Sequence, residues 1–364
     1  MPSDHKEKKK FKILALDGGG IRGLVTANIL TEVETQIQKT LGRKIPLNQY
    51  FDLIVGTSTG SILAASLVLG KSPAEVCKIY EEKGRDIFQA PPLRKLFSWI
   101  SGSKYSNKGL IEVLRNELGE IKFRDCSKNS SAELLIFAYD TLYRNTTFFI
   151  SPCPEENRWF NNMKLWEICV SSSSAPTFFP PYEFKFTDSH DQKTKTFTHV
   201  DGGVSANCPA LAALAHATKI KKKNIEDIAI LSIGTGRTTQ PLEYVNLKNW
   251  GKLLWAKHIP DVFMGGQIQI TTDACDQIIK SVNPDGYLRL QFELNKRFGK
   301  DGKLLPHNEQ INEYIHQNIN EEMDNTSIDN IAKLKNATEL FIANKKDKIA
   351  NFIKNTESIE LVRH

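Results

Sequence analysis

The feature that most constrains this chain is a glycine–serine–glycine turn that directly follows an apolar run. Residues 51–60 read Phe-Asp-Leu-Ile-Val-Gly-Thr-Ser-Thr-Gly, and the stretch Ser61–Leu69 that follows is typical of a packed helix. A G-x-S-x-G sequence between strand and helix is typical of a nucleophile elbow, which raises one serine hydroxyl above the sheet. We therefore predict Ser58 as a covalent nucleophile, with Gly56 and Gly60 permitting the sharp turn. An ordinary tight turn is the alternative.

Length and composition indicate a globular protein of one or two domains. The chain has 364 residues, of which 40% are hydrophobic and 25% charged. Its longest clean apolar stretch, Ile62–Leu69, is far shorter than the ~20 residues of a membrane-spanning helix. Residues 1–10 are polar and basic, which predicts a disordered lead and no secretory signal. Six cysteines without a C-x-x-C pair favour a reducing cytoplasmic location and indicate no metal site.

The charge pattern favours contact with a lipid surface. A net charge of +6 suits anionic membranes or phosphate-bearing ligands, and no aromatic–basic or zinc-finger motif indicates a nucleic-acid partner. Two stretches, 91–100 with Trp99 and 249–257 with Trp255, mix bulky apolar and cationic side chains. Such mixtures suit the boundary of a bilayer, so both stretches are predicted to make peripheral membrane contact. The alternative is that these aromatic side chains belong to the core.

Strand-like and helix-like stretches alternate from Phe11 to about Gly236. Strands are predicted at Phe11–Leu16, Phe51–Val55, Leu134–Tyr139, Phe197–Val200 and Ile228–Ile233. Helices are predicted at Ile21–Gln38, Ser61–Leu69, Pro73–Ile87, Lys108–Leu118, Leu165–Ser172 and Pro209–Thr218. Several of the strands are continuous apolar runs, which are typical of strands buried on both faces. The fold class is therefore predicted as α/β, with a mainly parallel sheet covered on both sides.

The character of the chain changes after about residue 305. Residues 306–357 are polar and rich in Asn and Lys, with apolar residues at helical spacing. The first such series is Ile311, Ile315, Ile319 and Met323. We therefore predict a catalytic domain over 11–305 and a helical C-terminal extension over 306–364. Packing of the extension on the core is favoured over a role in binding a partner.

A glycine-rich loop after the first strand could stabilise an anion. Residues 17–23 read Asp-Gly-Gly-Gly-Ile-Arg-Gly, so the backbone amides of Gly18, Gly19 and Gly20 could point at one spot near a helix N-terminus. Together with the Arg22 charge, they are predicted to form an oxyanion hole for the Ser58 reaction. The same string fits the G-x-G-x-x-G pattern of a dinucleotide site, but no acidic residue follows at the end of the second predicted strand.

The predicted base is an acid rather than a histidine. His199-Val200-Asp201-Gly202-Gly203 ends a strand and enters a turn, which places Asp201 at the sheet edge where α/β folds carry their sites. Gly202 and Gly203 allow close approach, and desolvation can make a carboxylate basic enough for proton transfer. Four histidines after Asp201 could complete a triad in the chain order Ser, Asp, His. They lie in helical, aromatic or polar stretches that do not suit a catalytic base. They are His216, His258, His307 and His316.

Taken together, the sequence resembles the patatin-like phospholipase family. The matching blocks are 17–23, 56–60 and 201–203, with supporting stretches at 174–181, 207–209, 231–236 and 287–291. The resemblance implies a three-layer α/β/α fold and a Ser58–Asp201 dyad without histidine, metal or cofactor. In this family the glycine loop would hold the oxyanion with help from Arg22. Serine at all of 171–174, where the family mixes alanine and serine, is a departure that concerns packing.

The resemblance also implies an activity. It predicts a serine lipid acyl hydrolase of the phospholipase A type, acting on membrane phospholipids or galactolipids and membrane-associated when active. Some bacterial members are membrane-degrading effectors that a cyclic nucleotide switches on in defence against phage, and the resemblance extends to that role and activator. The alternative in another class is a nucleotide-binding module that uses the loop from Gly18 to Gly23.

Overall fold

The computed structural model describes residues 10–89, 102–153, 155, 158–187, 193–239, 241–299 and 301–357. The predicted basic lead, apart from Lys10, and the stretch around Trp99 lie outside the described residues. No described helix combines the length and the apolarity that crossing a bilayer requires.

One eight-stranded sheet with helices on its faces forms the described part of the chain. The strands are β1 (Phe11–Leu16), β2 (Leu53–Thr57), β3 (Glu133–Asp140), β4 (Asn145–Ser151), β5 (Tyr182–Thr187), β6 (Thr194–Asp201), β7 (Ile228–Ile233) and β8 (Tyr287–Leu290). The helices are α1 (Gly23–Leu41), α2 (Leu47–Tyr50), α3 (Thr59–Val68), α4 (Pro73–Ile87), α5 (Asn107–Leu118), α6 (Leu165–Ser173), α7 (Gly203–Ala206), α8 (Ala210–Lys219), α9 (Tyr244–Leu247), α10 (Lys252–Lys280) and α11 (Ile328–Thr356). Short 3-10 turns lie at Gly20–Arg22, Phe123–Asp125, Trp159–Asn162, Ile225–Asp227 and His307–Glu309.

The centre of the sheet is parallel and one side is antiparallel. Strands β3, β2, β1, β7 and β8 follow one another as parallel neighbours. Strands β4 and β6 pair antiparallel with β3, and β5 pairs antiparallel with β6. The prediction of a mainly parallel α/β sheet is confirmed.

Alternate residues of the central strands pack into two separate hydrophobic cores, one on each face of the sheet. In β1, Leu14 and Leu16 belong to the larger core, with apolar side chains of α1, α3, α4, α5, α6 and α11. Their neighbours Ile13 and Ala15 belong to the smaller core, with side chains of α8 and the C-terminal part of α10. Successive strand residues point to opposite faces, so the sheet separates two helical layers. This arrangement confirms the predicted three-layer sandwich.

The ends of β2 and β6 meet along the same edge of β3. Thr57, the last residue of β2, pairs with Phe137, and Asp201, the last residue of β6, pairs with the next residue, Ala138. Strand β4 occupies the opposite edge of β3 over Leu134–Asp140. Consequently β2 and β6 lie end to end and run toward each other. The residues that follow β2 are therefore adjacent to the end of β6.

All five predicted strands are present, with small shifts at their ends. The sequence analysis did not predict β4, β5 and β8 as strands. In β5, exposed residues alternate with half-buried ones, so no continuous apolar run marks it. Strand β8 has only four residues. The 29-residue helix α10 was also not predicted, and the stretch 249–257 leads into it.

The helix predicted from the spacing of Ile311, Ile315, Ile319 and Met323 is wrong. This segment forms turns and irregular backbone, and the long helix α11 begins only at Ile328 and packs against α1. Asparagine side chains explain the difference. Asn312 Oδ1 accepts from the Tyr314 amide at 2.8 Å, and Asn320 Oδ1 accepts from the Glu322 amide at 2.8 Å. Such local bonds compete with helical ones. The domain boundary near residue 305 stays a prediction.

Candidate active site

Ser58 occupies a strained turn between β2 and α3. Its backbone has φ 53° and ψ −126°, a combination that side-chain-bearing residues rarely adopt. The two glycines of the motif make the turn sterically feasible. A Cβ at Gly56 would lie 2.1 Å from the Gly60 carbonyl oxygen, and one at Gly60 would lie 2.2 Å from the Leu16 carbonyl oxygen. The turn therefore has the geometry of a nucleophile elbow, with Ser58 partly exposed to a cavity.

The C-terminal end of α6 holds both strand ends in place. Ser172 Oγ accepts a hydrogen bond from the Ser58 amide at 2.9 Å and donates to the Phe137 carbonyl at 2.6 Å. The Ser172 carbonyl accepts from the Gly202 amide at 3.1 Å, and the Ser174 carbonyl accepts from the Asp201 amide at 3.0 Å. The serine run, which the sequence analysis assigned to packing, therefore also bridges the elbow and the Asp201 turn.

Asp201 lies beside Ser58 in a desolvated position. Asp201 is 5% exposed, and its carboxylate accepts a hydrogen bond from the Gly203 amide at 2.6 Å and lies close enough to the Ser58 hydroxyl to interact with it. Burial raises the pKa of Asp201 from 3.8 to about 6, although the neighbouring Ser58 hydroxyl and the Gly203 amide oppose the rise. A carboxylate with this pKa is a stronger base than a solvated one and is still ionised at neutral pH. The structure therefore brings the predicted dyad together.

The turn after Asp201 has no room for larger residues. A Cβ at Gly202 would lie 2.3 Å from the Phe137 carbonyl oxygen, and one at Gly203 would lie 2.9 Å from Asp201 Oδ1. The glycines at these two positions therefore let β6 end against β3 and let the Gly203 amide reach the carboxylate.

Two of the three glycines that the sequence predicts as oxyanion donors lie in the lining of the cavity. Gly19 and Gly20 line it together with Ser58. Within the described ranges their amides have no acceptor, so they are available to an anion. The Gly18 amide instead donates to the Asn207 carbonyl at 3.1 Å. The amide of Thr59, which follows Ser58 at the start of α3, is a candidate donor that the sequence analysis missed.

The cavity beside Ser58 has a volume of about 290 Å³ and is lined mainly by apolar side chains. Its inner wall consists of core residues from α3, α4, α5 and the loop after α6. They are Ile62, Tyr80, Leu110 and Phe179, each no more than 5% exposed. Tyr80 also bonds through its hydroxyl to the Thr59 hydroxyl, at 2.6 Å, behind the elbow. A long apolar group could enter beside Ser58 and end against this wall.

The outer wall of the cavity is exposed. Val204 is 50% exposed, and two side chains of α10, Ile259 and Phe263, are 37% and 68% exposed. The cavity therefore opens between α7 and α10 onto an apolar surface.

Sequence comparisons identify the family. A model described as patatin-like phospholipase matches residues 14–214. The chain belongs to the patatin-like phospholipase family. It is 30% identical over 312 residues to Patatin-like protein 1 of Oryza sativa subsp. indica, covering 78% of this chain and 74% of that protein. It is 34% identical over 274 residues to Patatin-like protein 1 of Arabidopsis thaliana, covering 67% of this chain and 63% of that protein. The family predicted from the motifs is confirmed.

Solved structures give a weaker likeness to this patatin-like chain. VipD from Legionella pneumophila matches with a TM-score of 0.42 at 12% identity, covering 94% of this chain and 67% of that one. Human GIVD cytosolic phospholipase A2 matches with a TM-score of 0.48 at 10% identity, covering 95% and 60%. Both lie below the similarity at which a structural match supports an inference about function.

Arg22, predicted to assist the oxyanion hole, points away from the cavity of this patatin-like protein. Its side chain is 7% exposed and does not line the cavity. Its Nη1 donates to the Glu321 carbonyl at 3.1 Å and to the Thr238 hydroxyl at 3.4 Å. The side chain therefore anchors the segment around Glu321. Its charge stays near the loop without contacting the reacting atoms.

A buried ion pair behind the glycine loop was not predicted. The Asp17 carboxylate is 1% exposed, and both of its oxygens accept from Arg289, one of them at 2.9 Å. Arg289 also donates to Ser232 Oγ at 2.7 Å. The pair joins the ends of β1 and β8 and holds the loop from behind. The stretch 287–291 had been noted only as similar to the family.

The described histidines do not line the cavity. His216 lies 3.6 Å from the Glu133 carboxylate at the other end of β3, and His258 stacks on Trp250. His199 is buried between aromatic rings, and burial lowers its pKa to about 4. Among the described residues, no group of histidine, cysteine and acidic side chains could hold a metal ion. The geometry therefore favours Asp201 over histidine as the base.

The nucleotide-binding alternative finds little space in this loop. The amides of Gly18 and Ile21 already donate to the carbonyls of Asn207 and Met323, at 3.1 and 2.8 Å. A Cβ at Gly19 would lie 2.1 Å from Thr235 Oγ1, so protein atoms fill the space on that side of the loop. A diphosphate needs several free amides around an open concavity. The geometry does not favour such a site.

Proposed function

We propose that this patatin-like protein is a serine hydrolase that cleaves fatty-acyl esters of membrane lipids, with Ser58 as nucleophile and Asp201 as base. The observation that carries the proposal is the placement of Ser58, on its strained turn, beside a buried Asp201 carboxylate in the lining of one apolar cavity. Membership of the family supports the same substrate class.

The reaction follows from these positions. Ser58 Oγ attacks the ester carbonyl carbon while Asp201 takes the hydroxyl proton. The negative charge that develops on the carbonyl oxygen is stabilised by the free amides of Gly19 and Gly20 and by the N-terminus of α3. The intermediate collapses, and the leaving alcohol takes the proton from Asp201. Water, deprotonated by Asp201, then attacks the acyl-serine; the C–Oγ bond breaks, Ser58 Oγ takes the proton back from Asp201, and the fatty acid leaves.

The size of the cavity suits one acyl chain. Its volume of about 290 Å³ lies at the lower end of ligand pockets, which span roughly 300–1,000 Å³. We therefore expect a single fatty-acyl chain to enter the cavity while the head group of the phospholipid or galactolipid stays at the opening. This is the arrangement of a phospholipase A-type reaction on a lipid held in its bilayer.

The exposed apolar side chains of α10 supply a surface for peripheral membrane contact. We call the set Leu254, Trp255, Ile259, Val262 and Phe263 the apolar patch; its members are 37% to 68% exposed. Exposed Lys248 and Lys252 lie just before it in the chain. Apolar side chains beside lysines favour an anionic bilayer surface, and the patch continues into the outer wall of the cavity. A lipid could thus pass from bilayer to cavity without crossing water.

The dyad is tested by Ser58→Ala and Asp201→Asn, assayed with a fluorogenic acyl ester and with phospholipid vesicles. Both variants are expected to lose activity on the order of 10³-fold or more, because each removes a group that takes part in bond formation or proton transfer. Ser66→Ala is the matched control, since Ser66 lies on the same helix outside the cavity lining and should keep full activity. Substantial activity of Asp201→Asn would contradict the dyad.

The pH dependence gives an independent test. Asp201 must be ionised to accept a proton, so kcat/KM should rise through a pKa of about 6 and level off above it. The folded pKa lies above the ordinary value, so ionising Asp201 disfavours the folded state as pH rises from 3.8 to about 6. At pH 7 Asp201→Asn should therefore be at least as stable as the parent. A rate independent of pH between 5 and 8 would contradict the assignment.

The defence role and the cyclic-nucleotide activator rest on the resemblance alone. They stay predictions. A direct measurement is the vesicle-hydrolysis rate of the purified protein with and without cyclic nucleotides. A large increase would support activation, and an unchanged rate together with no nucleotide binding would contradict it.

A further inference from the structure

A segment far along the chain crosses the glycine loop. Residues 319–326, which we call the strap, lie beyond the part that the family model matches. Within the strap, the Met323 carbonyl accepts a hydrogen bond from the Ile21 amide at 2.8 Å, and Met323 also lines the catalytic cavity. Gly20 has φ +60°, and a Cβ there would lie 2.2 Å from the same carbonyl oxygen. The strap therefore packs directly on Gly20, one of the two loop glycines that line the cavity beside Ser58.

The first half of the strap is fixed by buried polar side chains. Asn295 accepts from the Ile319 amide at 2.9 Å and donates to the Ile319 carbonyl at 2.8 Å. The Glu321 carboxylate accepts from Asn295 and Arg297, both at 2.9 Å, and the Glu321 carbonyl accepts from Arg22. These bonds tie the strap to the stretch that follows β8.

In the second half, the Asn325 and Thr326 carbonyls accept from Asn330 at 3.0 Å and Arg85 at 3.4 Å, and the carboxylate of Asp324 makes the side-chain bonds next to Met323. Asp324 is 8% exposed, and one of its oxygens accepts from the Tyr105 hydroxyl at 2.6 Å and from the Lys104 ammonium. Tyr105 and Lys104 precede α5 and also donate backbone bonds to Phe178 and Thr177. Asp324 therefore connects the strap to the opposite side of the cavity, next to Met323.

We propose that Asp324 is a positioning residue for hydrolysis: through the strap it holds the Met323 carbonyl against the loop and so fixes the Gly19 and Gly20 amides where the oxyanion forms. The proposal rests on the proposed function. Its physical basis is that a donor stabilises a transition state only when its direction is set before the reaction. Gly20, without a side chain, has the widest conformational freedom, so it depends most on an outside contact.

The expected effect is on turnover rather than on binding of substrate. Complete loss of one oxyanion donor typically lowers kcat by about 10²–10³. A strap that is loosened but still present should cost less, so we expect Asp324→Ala to lower kcat about 10- to 100-fold. KM should stay within about twofold, because the ground-state ester makes little use of the oxyanion donors. Asp324→Asn keeps an acceptor for Tyr105 and should lose less.

The matched control is Glu357→Gln. Glu357 follows α11 and pairs at 2.6 Å with Lys12 near the start of β1, at the end of that strand away from the glycine loop, so this change loosens the same C-terminal segment away from the strap. It should leave kcat unchanged even if it lowers the melting temperature. An equal loss of kcat in Glu357→Gln and Asp324→Ala would assign both effects to general destabilisation and overturn the proposal.

Two measurements separate positioning from folding. Affinity for a long-chain trifluoromethyl ketone, which imitates the oxyanion, should fall by the same factor as kcat/KM in Asp324→Ala, while affinity for the fatty-acid product stays constant. Amide hydrogen exchange of a peptide covering residues 18–24 should speed up in Asp324→Ala and not in Glu357→Gln. Unchanged exchange would overturn the proposal whether or not the parent hydrolyses esters. An inactive parent with the expected exchange would instead overturn the proposed function.

Discussion

The inner and outer walls of the catalytic cavity differ in what lies behind them. Ile62 and Leu110 of the inner wall belong to the larger core and are 5% and 1% exposed. Phe263 of the outer wall is 68% exposed. The same cavity is thus half core and half surface. Substitutions in the inner wall should therefore mainly change the free energy of unfolding. Substitutions in the outer wall should mainly change contact with a lipid surface.

Leu110→Ala, in the inner wall, is expected to have the largest effect on the free energy of unfolding. Removing a fully packed leucine costs about 2–5 kcal/mol of unfolding free energy, because transfer and cavity contributions add. The same change lengthens the inner end of the cavity, so relative activity should shift toward longer acyl chains. Urea unfolding followed by circular dichroism measures the first effect, and hydrolysis of an ester series measures the second. A loss below 0.5 kcal/mol would show that the inner wall is not part of the core.

A smaller and different effect is expected for Phe263→Ser combined with Trp255→Ser. Both side chains belong to the exposed apolar patch, so unfolding free energy should change by no more than about 0.5 kcal/mol per site. Binding to anionic vesicles should weaken about tenfold or more, since apolar area no longer enters the bilayer. Sedimentation with vesicles measures binding, and a soluble short-chain ester serves as the control substrate. Equal losses on both substrates would assign these residues to the fold instead.

The smallest effect is expected for Gly266→Ala. Gly265 and Gly266 lie within α10, between the patch and the part that packs in the smaller core, and a Cβ at either would meet no atom within 4 Å. Replacing one by alanine should raise the unfolding free energy by about 0.5–1 kcal/mol, because glycine loses more backbone entropy in a helix. Thermal unfolding measures this. A decrease would indicate that the outer wall depends on a bend at this glycine pair.

The parts of the site that could be predicted are those marked by residues adjacent in the chain. Ser58 and Asp201 each follow an apolar run and precede glycines, so a strand end and a turn could be inferred at both positions. We expected parallel strands to place both near one sheet edge, but β6 is antiparallel to β3, and the two residues meet because β2 and β6 run toward each other along β3. These inferences needed only neighbouring residues and the geometry of α/β sheets.

The parts that could not be predicted depend on bonds between distant segments. Ser172 supports the elbow through a hydroxyl that bridges two strands, and Arg289 reaches Asp17 across the sheet. The strap contacts the loop through the backbone carbonyl of Met323, and a contact made by the backbone cannot be predicted from the residue type. The apolar spacing of Ile311 to Met323 suggested a helix, but asparagine side chains supply the backbone bonds that a helix would otherwise make.

The end-to-end meeting of β2 and β6 has a consequence for how this protein could lose and regain its activity. Asp201 and Thr57, the residue before Ser58, take their places from hydrogen-bond register on a common neighbour, at Ala138 and Phe137. A shift in strand pairing leaves each side chain on the same face of the sheet only if it is a multiple of two residues, which is about 6.6 Å along a strand. Gradual separation of the hydroxyl and the carboxylate is therefore excluded while the ladders persist. During partial unfolding, each molecule should therefore be either fully active or inactive, and total activity should fall in proportion to the fraction of molecules that keep this pairing.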